Sequence, residues 1–261
     1  MTQDIPPPAP TAAQHALLGG RTALVTGAAR RIGAAVVRAL HGAGANVVLH
    51  YRSSADEAVA LAQELNALRP NSVRLADGDL LELAQLPTLV EAAADAFGGL
   101  DILVNNASTF YPTPLGDITP IDWDDLIGTN LRAPLFLAQA AAPRLHEARG
   151  LIVNLADIHG LKPLRRYPVY SIAKAGLIML TKSLARELGP HVRVNAVAPG
   201  PIMWPEDGLD SALQEKIIRR TALKRTGAAE DVARACLFFA AEAPYVTGQI
   251  LAVDGGRSIG W

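Results

Sequence analysis

The chain has 261 residues, half of them hydrophobic, with a formal net charge of −1 and one cysteine. That length can bury one large core and fits a single α/β domain, and the near-neutral charge, without a dense Lys/Arg run, excludes a broad nucleic-acid or anionic-membrane surface. A single cysteine excludes an internal disulfide, and Cys236, on one helical face with Val232 and Phe239, reads as a small core residue rather than a nucleophile or metal ligand.

Residues 1–19, with Ile5-Pro6-Pro7-Pro8-Ala9-Pro10, lack the basic flank and apolar core of a signal peptide and read as a flexible leader before one domain at 20–261. No apolar run reaches the roughly 20 residues that span a bilayer. A reducing cytoplasm is the expected compartment, and no membrane or nucleic-acid partner is expected.

Short apolar, β-branched runs at 21–26, 46–51, 72–76, 100–104, 150–155, 191–197 and 249–253 alternate with longer amphipathic stretches. This pattern predicts about seven parallel strands joined by crossover helices, a doubly wound Rossmann-type sheet with helices on both faces. Right-handed crossovers gather the strands' carboxyl ends into one ligand crevice. Gly42-Ala43-Gly44, Gly98-Gly99 and Gly189-Pro190 mark helix ends.

Between the first strand and first helix lies Thr26-Gly27-Ala28-Ala29-Arg30-Arg31-Ile32-Gly33. A tight turn there lets a pyrophosphate approach backbone amides at a helix amino terminus. The second strand ends His50-Tyr51-Arg52-Ser53-Ser54, with no acid before Asp56. A carboxylate there would repel a 2′-phosphate, whereas Arg31, Arg52 and the serine hydroxyls can bind one through charge-assisted hydrogen bonds, so NADPH is favoured over NADH. Either arginine alone would equally read as a solvated surface charge.

Asp79-Leu80 follows the third strand, where Asp79 reads either as a hydrogen-bond partner of an adenine edge or as a solvated turn residue. Asn105-Asn106-Ala107-Ser108 follows the fourth, and small residues there allow close approach to a cofactor ribose.

The run Leu151-Ile152-Val153-Asn154-Leu155-Ala156-Asp157 reads as a buried strand ending in a carboxylate. Tyr170 and Lys174 follow, four apart on one face of a helix beginning near Pro168. An ammonium beside a phenol favours phenolate, so Lys174 is expected to lower the pKa of Tyr170 and make it a usable proton donor near neutrality.

Taken in order, the glycine turn, Asn105-Asn106-Ala107, Asn130, Tyr170-Ser171-Ile172-Ala173-Lys174, Arg193 to Gly200 and Val253-Asp254-Gly255-Gly256 resemble the short-chain dehydrogenase/reductase family from Arg21 onward. The resemblance implies a proton relay of Asn130, Tyr170 and Lys174, with Lys174 also holding the nicotinamide ribose, and Pro199-Gly200 beside the cofactor. It also implies a catalytic serine at position 157, where this chain has Asp157. An anion there repels the oxyanion formed as hydride reaches a ketone, so simple ketone reduction is disfavoured.

Arg31 in place of the turn's middle glycine, Ser108 after Asn-Asn-Ala, and Phe110 in Thr109-Phe110-Tyr111-Pro112-Thr113-Pro114 resemble the pteridine reductase branch. That likeness implies reduction of pterins or folates with NADPH, with Asp157 as catalytic aspartate and Phe110 stacking on the ring. Arg31 and Ser108 are expected to touch the pterin as well as the cofactor. A flat, electron-poor pterin presents donor edges to a carboxylate, and reducing its C=N bonds develops no oxyanion. Phe110 alone would equally fit core packing.

His159 is read as a loop residue, and Met203-Trp204-Pro205-Glu206-Asp207 as a substrate lid in which Trp204 closes over the ligand. The alternatives are a carbonyl or 3-oxoacyl-carrier-protein reductase of the same fold, and a non-catalytic NADPH-binding protein. The family resemblance further implies a homotetramer, for which the Ala-rich stretches 131–142 and 172–184 are candidate faces. The end of the chain, Arg257 to Trp261, is a candidate to reach a neighbouring active site.

Overall fold

The computed structural model describes residues 17–204 and 210–260. Most of the expected leader, Pro205, Glu206 and Asp207 of the expected lid, and Trp261 lie outside them. Seven strands form one parallel sheet: β1 (Thr22–Val25), β2 (Asn46–Tyr51), β3 (Val73–Asp77), β4 (Ile102–Asn105), β5 (Leu151–Leu155), β6 (Arg193–Pro199) and β7 (Ile250–Val253). Their order is β3-β2-β1-β4-β5-β6-β7, a single Rossmann-like α/β domain. Each predicted strand is present, shifted by at most two residues at an end.

The central strands β1, β4 and β5 are buried along their whole length because both faces are covered, whereas the edge strands β3 and β7 are partly exposed. Successive side chains point to opposite faces, so Ala23, Val25, Ile102, Val104 and Val153 enter one core while Leu24, Leu103 and Ile152 enter the other. The first core is closed by α1 (Arg31–Gly42), α2 (Ala55–Leu68) and α8 (Ala229–Ala241), which contribute Val36, Leu61, Val232, Cys236 and Phe239. The second is closed by α3 (Leu86–Asp95), α5 (Ala133–Ala148) and α6 (Pro168–Leu188), through Val90, Leu137 and Ala185. Each fully buried leucine of this kind stabilises the fold by about 2 kcal/mol.

Two shorter helices complete the chain, α4 (Pro120–Ile127) and α7 (Ser211–Arg219). The first starts at a capping box in which Thr119 and Asp122 satisfy each other's backbone amides. A π-turn at Gly128–Arg132 then precedes α5 and carries Asn130. Strand order reverses between β1 and β4, so the loops after these strands part there and open a crevice. Among the described residues no helix is long and apolar enough to cross a membrane.

Candidate active site

The crevice at the reversal has a volume of about 350 Å³ and is lined by residues of the β1–α1 turn, the end of β2, Asp79-Leu80 and the segment after β4. Backbone shape sets its floor. Gly27 is left-handed at φ 57°, and a Cβ there would lie 2.8 Å from Ala107 Cα. At Gly33 a Cβ would lie 2.5 Å from the Gly27 carbonyl oxygen. Asn106 staples the turn by donating from Nδ2 to the carbonyls of Thr26 and Gly27, each at 2.8 Å.

Helix α1 has no acidic residue in its first turn. Its first N–H groups, those of Ile32 and Gly33 among them, have no acceptor within the helix and would meet an anion without a competing carboxylate. Arg31 begins this helix at φ 54°, a left-handed conformation that glycine adopts without strain. Its guanidinium donates from both Nη atoms to the Trp204 carbonyl at 3.2 Å, tying the glycine turn to the loop after β6.

At the end of β2, His50 is buried and bridges two loops. It accepts the Gly27 N–H at Nδ1 and contacts the Gly78 carbonyl through Nε2, each at 3.2 Å. This pairing places the proton on Nε2. Burial lowers its pKa to about 4, against the smaller opposing pulls of Gly78, Asp77 and Asp79. Tyr51, Arg52, Ser53 and Ser54 follow along the crevice wall. Ser54 precedes α2 yet makes no side-chain cap bond. Arg52 lies 3.7 Å from Asp79, whose other oxygen accepts the Leu81 N–H at 3.0 Å.

The candidate reacting groups come from the end of β5, from α6 and from the π-turn. Asp157 Oδ1 accepts the His159 N–H at 2.7 Å, and Oδ2 accepts the Tyr170 hydroxyl at 2.9 Å. Lys174 is buried at 2% exposure and donates to the Leu155 carbonyl at 2.8 Å. Asn130, fully buried, donates from Nδ2 to the carbonyls of Thr109 and Leu126, while its Oδ1 accepts the Ser108 hydroxyl at 2.6 Å. Its side chain therefore meets Ser108 rather than Lys174.

The expectation that Lys174 lowers the Tyr170 pKa is reversed. Burial, then the charge of Asp157 and the hydrogen bond to it, hold Tyr170 well above the ordinary tyrosine value, with Ser108 pulling weakly the other way. Lys174 Nζ sits 5.6 Å from the ring centroid, and its own pKa falls to about 8 through burial, with Asp157 opposing. Desolvation and a directly bonded anion outweigh a more distant ammonium. Tyr170 thus stays protonated at neutral pH, the state a proton donor needs.

Phe110 is not a core residue: it is 48% exposed, stacks on Tyr167 at 4.6 Å and meets Tyr170 edge-on at 4.8 Å. Tyr167 is a residue that the sequence reading missed, although its place three before Tyr170 at the start of α6 is a usable signal. Ala29, Arg30, Asn106, Thr109 and Thr129 also line the crevice without having been singled out as lining it. Lys174, buried with its ammonium on the Leu155 carbonyl, is one of four expected cofactor residues that are not on its wall. Asn105 points into the sheet, donating to Asn154 at 2.8 Å, which in turn donates to Thr181 at 2.9 Å. Pro199 pairs with Val253 in the β6–β7 ladder, and Gly200 packs so closely that a Cβ would lie 2.5 Å from Asp254 Cβ. Among the described residues no cluster of His, Cys, Asp and Glu could hold a metal ion.

The family described as Enoyl-(Acyl carrier protein) reductase matches residues 27–258. Pteridine reductase 1 of Leishmania tarentolae is 38% identical over 91% of this chain and 96% of its own length. The 3-oxoacyl-[acyl-carrier-protein] reductase FabG of Staphylococcus aureus (strain MW2) is 36% identical over 90% of this chain and 97% of its own. Probable galactose dehydrogenase GalD of Rhizobium meliloti (strain 1021) is 36% identical over 92% and 95%. Such similar identities do not separate the substrates, but they agree with the parallel sheet, the glycine turn and the tyrosine–lysine helix: the chain is a reductase of the short-chain dehydrogenase/reductase family.

Proposed function

We propose that this reductase delivers hydride from NADPH to a C=N carbon of a dihydropterin, dihydrofolate or related oxidised pterin, and a proton from Tyr170 to the ring nitrogen. The observation that carries the reading is Asp157, a carboxylate hydrogen-bonded to Tyr170 where a neutral hydroxyl would polarise a ketone. The likeness to a pteridine reductase over nearly the whole chain supports it.

The crevice residues fit a phosphorylated dinucleotide. The close backbone approach at Gly27 and Gly33 leaves no side chain over the turn, and Arg31, Arg52 and the Ser53 and Ser54 hydroxyls would hold a 2′-phosphate. When bound, NADPH supplies the hydride. Each Asp157 oxygen accepts one hydrogen bond within the protein and keeps a lone pair for a substrate N–H, so the carboxylate orients the ring and holds the Tyr170 proton in line. Lys174 would bind the nicotinamide ribose, Asn130 holds Ser108, which hydrogen-bonds Tyr170, and Phe110 and Trp204 would flank the ring. Cofactor contacts by Asn105, Pro199 and Gly200 would have to come from backbone atoms.

The competing reading, a 3-oxoacyl-carrier-protein reductase, draws support from the FabG relatives. Asp157 weighs against it, because a fixed anion opposes the alkoxide that forms as a ketone is reduced. The deciding experiment follows NADPH oxidation with dihydropterins, dihydrofolate and acetoacetyl thioesters. Turnover of the pterins is expected; turnover of thioesters alone would establish the other activity. Binding of NADPH about tenfold tighter than NADH is expected from the charge-assisted phosphate contacts, and equal binding would refute the cofactor assignment.

A further inference from the structure

The loop leaving β5 after Asp157 carries Lys162, Arg165 and Arg166, and no Asp or Glu occurs between Asp157 and Glu187. Arg165 and Arg166 are exposed and have no ion-pair partner among the described residues, whereas Arg21, Arg38 and Arg144 each meet a carboxylate. The loop is fixed at several points. The Arg166 carbonyl accepts the Thr113 N–H at 2.7 Å, the Leu164 N–H donates to Ser171 Oγ at 3.2 Å, and Lys162 Nζ donates to the Ser258 carbonyl at 2.8 Å. Arg166 itself is left-handed at φ 72°, a conformation strained for any residue but glycine.

These contacts set an order outward from the reacting group. Tyr170 meets the edge of Phe110, Phe110 stacks on Tyr167, and Tyr167 is directly preceded along the chain by Arg165 and Arg166. A planar ring held by Asp157 and Phe110 would point any substituent on its outer end along this aromatic pair toward the cationic rim.

We propose that Arg165 and Arg166 are specificity residues that bind the carboxylates of a tail carried by the pterin, so that the preferred substrate is an aryl-carboxylate conjugate such as dihydrofolate rather than an unconjugated pterin. The proposal rests on the pterin reading above. A guanidinium pair suits carboxylates through forked hydrogen bonds, and an aryl linker suits the Phe110–Tyr167 stack. Exposed charge pairs contribute modestly and are screened by salt, so the effect belongs to KM and not to kcat.

The test compares KM and kcat for dihydrofolate and dihydrobiopterin in the wild type, in Arg165→Gln/Arg166→Gln and in Arg165→Lys/Arg166→Lys, at low and high salt. The glutamine pair is expected to raise KM for dihydrofolate about fivefold at low salt with kcat kept, to leave dihydrobiopterin unchanged, and to lose its effect at high salt. The lysine pair, which keeps the charge, is expected to restore most of the difference. An equal shift for both pterins, or no shift for either, overturns the tail proposal while the pterin reading stands. A raised KM for an acidic carrier-protein thioester with none for dihydrofolate overturns it in favour of a protein partner. A wild type that reduces no pterin removes both readings together.

Discussion

Asp157 accepts one hydrogen bond from a backbone amide and one from Tyr170, so its neighbours fix its orientation before a substrate arrives. Replacing it with asparagine removes the charge and keeps the shape. Asp157→Asn is expected to lower kcat by about 100-fold, the scale of losing a fixed electrostatic partner at a reacting centre, with NADPH affinity nearly unchanged by fluorescence titration. The same variant is expected to ionise Tyr170 at lower pH in an ultraviolet titration, because Asp157 is one cause of the raised value. An unmoved tyrosine titration would show that burial alone sets it.

His50 gives a second expectation at this scale. Its folded-state pKa of about 4 lies below the unfolded value of 6.5, so between these pH values the unfolded chain binds the extra proton. Stability is therefore full above pH 6.5 and falls as pH drops toward 4, by about 3 kcal/mol from this group. Denaturant unfolding of the wild type and His50→Gln across that range measures it; the variant is expected to show a flatter profile.

The elements were legible where burial is uniform. Strands covered on both faces read as unbroken apolar runs, which is why β1, β4 and β5 can be found in the sequence. The glycine turn was legible because only glycine admits the approach of Ala107 and Asn106. The direction of Asn105 was not, since adjacent asparagines at a strand end point to opposite sides of the pleat: Asn105 joins Asn154 inside while Asn106 staples the turn. The Tyr170 pKa was hidden for a related reason, because desolvation depends on what packs around a residue rather than on its neighbours in sequence. At the turn itself, Gly33→Ala is expected to destabilise the fold by about 1–3 kcal/mol, since its Cβ meets fixed backbone rather than a mobile side chain. A thermal melt of the variant checks this.

At the scale of the whole molecule, α6 leaves Ile172 and Met179, 50% and 60% exposed, seven residues apart on one face, and α5 leaves Leu135 exposed. We propose that these faces join copies of the chain into a homotetramer. Light scattering is expected to give a tetramer mass for the wild type and a smaller species for Ile172→Glu/Met179→Glu; a wild-type monomer would end that proposal. The central claim, that a carboxylate at position 157 commits this reductase to C=N rather than C=O reduction, is tested most directly by the ratio of kcat/KM for dihydrofolate to that for acetoacetyl thioester, in the wild type and in Asp157→Ser. The wild type is expected to favour the pterin by about 100-fold or more, with the ratio collapsing in the serine variant. A wild-type ratio favouring the thioester, or a ratio untouched by the substitution, would contradict it.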